Sequence, residues 1–145
     1  MSGPDRPRPG AIAWTDLTVP HAAKIRDFYA EVVGWRPEPV EMGGYADFNM
    51  VPPGAEDPVA GICHARGFNA DLPPQWLLYV VVEDADAAAE RCRQAGGEVV
   101  VRPRDLAGGR FCVIRDPAGA VCALYALPPE DGDAGKAGDT AGEGA

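Results

Sequence analysis

The sequence has no run of about 18 apolar residues, which excludes a membrane-spanning helix. Histidine is scarce: His21 and His64 are the only two, so no H-x-x-x-H pair and no two-histidine, one-carboxylate cluster fits on one element. Cys63, Cys92, Cys112 and Cys122 form no C-x-x-C pair, and a chain of 145 residues does not need disulfides to hold a core. They are expected to be reduced thiols, mostly buried. Basic residues are outnumbered, 13 Lys and Arg against 22 Asp and Glu, for a net charge of -9. Without a basic stripe, nucleic acid is not an expected partner, whereas a neutral or cationic small molecule is compatible. The opening decapeptide, Met1 to Gly10, has charge but no apolar segment behind it, so it does not read as a secretory signal and a cytoplasmic location is expected.

What is present is a patterned middle between two polar ends. Residues 128–145 carry Glu130, Asp131, Asp133, Asp139 and Glu143 against Lys136, so -4 of the net -9 lies in the tail. Residues 1–10 and 128–145 hold too little apolar content to offset ordering entropy, and both are expected to be disordered. Residues 11–127 then form a single domain, with one module over about 11–65 and another over about 75–127.

In the first module Ala11 to Val19 alternates as a strand that Pro20 ends. Ile25, Phe28, Tyr29 and Val32 recur at helical spacing, and Gly34 supplies a left-handed stop. In the second, Trp76 to Val82 is an apolar strand, Ala85, Ala88, Cys92 and Ala95 share a helical face, and Gly96-Gly97 ends it. Cys92 is thereby placed in the core. Sliding the chain on itself by 63 sets Val19 on Val82, Ala22 on Ala85, Gly34 on Gly97 and Phe48 on Phe111. A one-residue adjustment then sets Val59 on Val121. The pattern predicts a duplicated β-α-β-β-β unit, and two curved sheets of that kind would surround a cleft suited to a small ligand.

Three markers carry a resemblance: Trp14-Thr15-Asp16-Leu17 leading to Arg26-Asp27-Phe28-Tyr29 and Gly34-Trp35; Val82-Glu83-Asp84-Ala85-Asp86-Ala87 leading to Gly96-Gly97; and Arg115-Asp116-Pro117-Ala118-Gly119 before the last strand. Over about residues 11–127 the chain resembles the vicinal oxygen chelate superfamily of glyoxalase I, extradiol dioxygenases, fosfomycin-resistance enzymes and bleomycin-binding proteins. The resemblance implies an α+β fold of paired βαβββ modules and a homodimer. It also implies metal ligands on the first and last strand of each module. Those positions fall on Trp14, Leu77, Gly61 and Ala123, and none has a side chain that binds a divalent ion. No metal and no other cofactor is expected.

If the ligand-bearing face is the cleft face, alternation puts Trp14, Asp16 and Thr18 on it from one module, and Leu77, Tyr79 and Val81 from the other. Gly61 with Cys63, and Ala123 with Tyr125, follow by the same logic. Small and apolar replacements at the former ligand positions are expected to leave volume there for an organic molecule. Asp16, a carboxylate among aromatic rings, suits a ligand amine or a general base, and Tyr79 takes the pseudo-symmetric position. Cys63 and His64 are adjacent, so in a strand they point to opposite faces and cannot form a nucleophile and base pair. His64 is expected to bond an acidic or backbone group near Arg66. Phe48 and Phe111 are cleft platforms or core plugs, with core favoured, and Phe111 joins the candidate ligand-binding set. The connection from Ala65 to Pro74 places Arg66, Phe68 and Asn69 where they could close over a ligand.

The function expected is metal-independent binding of an aromatic or cationic organic molecule in the manner of bleomycin-binding proteins, through Trp14, Asp16, Cys63, Leu77, Tyr79, Phe111 and Tyr125. The alternatives are a lyase, isomerase or related enzyme of specialised metabolism using Asp16 and Tyr79 as acid and base, and a metal-dependent glyoxalase-like or dioxygenase-like enzyme. A catalytically silent regulatory partner would fit a cleft filled by its own side chains.

Overall fold

The computed structural model describes residues 6–130. Its elements run β1 (Ile12–Val19), α1 (Ala22–Val33), β2 (Arg36–Glu41), β3 (Ala46–Val51) and β4 (Ala60–His64), then β5 (Trp76–Val81), α2 (Ala85–Gln94), β6 (Glu98–Leu106), β7 (Gly109–Arg115) and β8 (Val121–Ala126). This is strand, helix, three strands, twice over, as the punctuation predicts. The chain divides into two compact units, one of residues 14–77 and one that joins residues 78–130 to residues 6–13. The expected disorder of the ends falls mainly on residues 1–5 and 131–145, which lie outside the described residues. Within the second unit Gly10 N donates to Val81 O at 2.7 Å and Val81 N to Ala11 O at 2.8 Å.

In the first unit the strand order is β2-β3-β4-β1, with β1 and β4 parallel and the other neighbours antiparallel. Helix α1 covers one face, where Leu17, Val19, Ala22, Phe48, Met50 and Ile62 form a buried cluster and Ile25, Tyr29, Trp35 and Trp76 pack around it. Gly34, at φ 84°, closes the helix with its N–H on Ala30 O, a conformation that a side chain would strain. The buried line of α1 differs from the expected stripe. Ala22, Ile25 and Tyr29 face the core, while Phe28 is 54 % exposed and Val32 62 % exposed. Phe28 and Val32 lie at the flank of an apolar stripe wider than the surface the sheet offers.

The second unit repeats the plan as β5-β8-β7-β6, with Ala88 and Ala89 of α2 packed on Cys112 and Leu124. Asp84 caps α2, accepting from Ala87 N at 3.0 Å. Asp116 builds the last hairpin: its Oδ1 accepts from Ala118 N at 2.7 Å and Ala120 N at 3.1 Å, and Gly119 takes φ 95°. Cys112 is buried and Cys92 and Cys122 are half-buried, and all four cysteines are free. Among the described residues no helix is long and apolar enough to cross a membrane.

The repeat is confirmed in two strands and corrected in a third. Asp16 lies opposite Gly61 in one unit and Tyr79 opposite Ala123 in the other, so Asp16 matches Tyr79 and Gly61 matches Ala123. Asn49 also lies opposite Gly61, and Val113 opposite Ala123, which matches Phe48 with Cys112 rather than with Phe111. A one-residue slip in a strand reverses its faces. Phe48 therefore packs under α1, while Phe111 points away from α2.

Candidate functional site

The residues of the first unit that do not face α1 form the second face of its sheet. Because Leu17, Val19, Phe48 and Ile62 point into the core, the alternate positions Trp14, Asp16, Thr18, Asp47, Asn49, Gly61 and Cys63 lie on the other face. Trp14 Nε1 donates to Asp16 Oδ1 at 2.6 Å, a short charge-assisted hydrogen bond that fixes the carboxylate. A Cβ on Gly61 would overlap that same oxygen and would come within 3.6 Å of the Trp14 ring. The side chain missing at residue 61 is thus replaced in space by the Asp16 carboxylate. This corrects the expectation of vacated volume at that position.

Cys63 sits between two carboxylates. Burial pushes its thiol well above the usual range, and the charges of Asp16 and then Asp47, with a hydrogen bond to Asp47, push it further. The thiol is kept protonated and is a poor nucleophile. Asp47 is the residue that reading the sequence missed as a site member. Its Oδ1 accepts from His64 N at 2.9 Å and lies 3.2 Å from His64 Nδ1. Cys63 and His64 therefore meet on one carboxylate and not on each other. The acidic partner expected for His64 is Asp47, which becomes visible only once β3 and β4 are paired in register.

Leu77 is 3 % exposed at the start of β5. Tyr79, Phe111 and Tyr125 belong to the second unit, on its face away from α2. Phe111 is 2 % exposed and stacks on Tyr79 with ring centres 6.4 Å apart and planes at 14°. The Tyr125 hydroxyl donates to Leu106 O at 2.9 Å, so it ties down the β6–β7 hairpin, and burial raises its pKa. In the connection after β4, Asn69 Oδ1 accepts from Arg66 N at 2.7 Å, and the Arg66 guanidinium lies 3.7 Å above the Tyr45 ring.

The metal implied by the resemblance does not fit the donor set. Indole, isobutyl, hydrogen and methyl occupy the four ligand positions, and among the described residues no three His, Cys, Asp or Glu side chains are grouped to hold an ion.

Paired βαβββ units, each a four-stranded sheet with its helix packed on one face, define the class of small α+β proteins to which this chain conforms. The chain belongs to the Glyoxalase/Bleomycin resistance protein/Dioxygenase superfamily, whose model matches residues 11–124. It is 38 % identical over 129 residues to an anthracycline biosynthesis protein, DnrV, of Streptomyces peucetius, covering 81 % of this chain and 47 % of that protein. It is 36 % identical over the same length to the anthracycline biosynthesis protein DauV of Streptomyces sp. strain C5, again covering 81 % of this chain and 47 % of that protein. The chain thus spans about half the length of the curated relatives it matches. Methylmalonyl-CoA epimerase from Mycobacterium tuberculosis shares the fold, with a TM-score of 0.53 and 19 % identity over 84 % of this chain and 90 % of that one.

Proposed function

We propose that the protein binds a small organic molecule that is aromatic and positively charged, on the sheet face of the first unit that lies away from α1, without a metal. The observation that carries this reading is the Asp16 carboxylate, held by the Trp14 indole above Gly61. An oriented anion beside an aromatic ring suits an ammonium group attached to a flat ring system. The net charge of -9 favours such a ligand at longer range. The two relatives named for anthracycline biosynthesis support a ligand from specialised metabolism.

The test is a fluorescence titration with an anthracycline that carries an amino sugar, alongside its uncharged aglycone. Asp16→Asn is expected to weaken the amino-sugar compound about tenfold and leave the aglycone nearly unchanged. Equal binding of both compounds by the native chain and the variant would overturn the reading. The same reading takes the chain as a homodimer, which sedimentation across a concentration series checks. A second reading, an enzyme with Asp16 as general base, draws on the same two biosynthetic relatives. In that case Asp16→Asn abolishes turnover while largely preserving binding.

A further inference from the structure

We infer a second ligand site in the first unit, one that takes a phosphoryl group, beside His64 at the start of α1. Pro20, His21, Ala23, Lys24 and His64 line an open cavity of about 440 Å³ at the start of α1. Three of these five residues carry basic side chains, in a chain whose net charge is -9. The local charge runs against that of the molecule. The first turn of α1 carries no acidic residue and His21 makes no side-chain cap, while the Asp47 carboxylate stands behind His64.

His64 is pre-set for an anion. Asp47 Oδ1 lies 3.2 Å from its Nδ1 and also accepts from its backbone N–H at 2.9 Å, so the ring is held at two points of one residue. With Nδ1–H directed at the Asp47 carboxylate, Nε2 is the ring edge left for a ligand, an acceptor in the neutral ring and a donor when the ring carries both protons. The Tyr45 ring packs edge-on against the imidazole at 5.5 Å and fixes its plane. Lys24 adds an ammonium, and Lys24 and His21 are both exposed. A tetrahedral oxyanion offers several oxygens to the His21, Lys24 and His64 side chains that line the cavity, whereas a monovalent halide would use only part of that donor set.

The test is a ring-proton NMR titration of the full chain at about pH 6.5, near the ordinary imidazole midpoint, with inorganic phosphate and separately with ribose 5-phosphate. Chloride at matched ionic strength is the control. The expected result is a saturable shift of the His21 and His64 signals with a midpoint on the order of 1 mM, absent with chloride. Lys24→Glu, at an exposed position that does not endanger folding, is expected to weaken binding about tenfold or more, while Asp16→Asn leaves it unchanged. Tighter binding of the sugar phosphate would identify a phosphorylated metabolite as the source, and equal or tighter binding of inorganic phosphate would identify the free ion. Shifts that do not saturate, that chloride reproduces, or that survive Lys24→Glu with the same midpoint would overturn the site.

Discussion

The carboxylate of Asp16 lies over the Cα of Gly61, in the space that any side chain at residue 61 would enter. The two residues face each other across the parallel β1–β4 pair, so neither can move without disturbing the ladder. Gly61→Ala is therefore expected to displace Asp16 from the Trp14 indole. Overpacking of this kind costs about 1–3 kcal/mol, read as a lowered urea midpoint. Amino-sugar anthracycline binding should fall with it. A stable Gly61→Ala variant with native affinity would show that Asp16 needs no such cradle.

The order of elements was legible because Pro20, Gly34, Gly96 and the Asp116 turn punctuate the chain locally. The positions that the resemblance assigns to metal ligands, Trp14, Gly61, Leu77 and Ala123, are counted from that same punctuation. What could not be read is whatever depends on pairing between distant strands. The face of Phe48 turns on a single residue of register in β3, and the site role of Asp47 on β3 meeting β4. The exposure of Phe28 and Val32 turns on how much of α1 the sheet covers, which no periodicity states.

Cys63 makes stability depend on pH in a direction that follows from its surroundings. Its thiol is held protonated in the fold by burial and by Asp16 and Asp47, whereas an unfolded thiol ionises near about pH 8.5. The folded pKa is raised, so the contribution is complete below about pH 8.5 and is lost as pH rises beyond it, by up to about 1.4 kcal/mol per pH unit. Cys112, pushed up to about 11 chiefly by burial, acts in the same sense. Urea unfolding between about pH 8 and pH 10 should show this decline, and Cys63→Ala should flatten it in part. An unchanged slope would mean that Cys63 ionises freely in the native state.

Thr15 offers a gain. Its Oγ1 is buried and finds no hydrogen-bond partner among the described residues. A buried hydroxyl without a partner is destabilising relative to an apolar group of the same shape. Thr15→Val keeps the β-branched shape suited to β1 and is expected to raise stability by about 1 kcal/mol, seen as a higher melting temperature. A loss of similar size would indicate that an ordered water serves the hydroxyl.

Trp14→Phe separates the two roles assigned to the indole. Phenylalanine keeps an aromatic ring beside Gly61 but removes the N–H that Asp16 accepts at 2.6 Å. Loss of a hydrogen bond to a charged acceptor costs about 1.5–3 kcal/mol when the acceptor stays buried, and less when water replaces the donor. Asp16 is half-buried, so a stability loss toward the lower end is expected. Amino-sugar anthracycline affinity should fall more than aglycone affinity, because the ring remains while the carboxylate is no longer oriented. If both affinities fell equally, Trp14 would be acting only as a stacking surface, and the carboxylate would not depend on it for orientation.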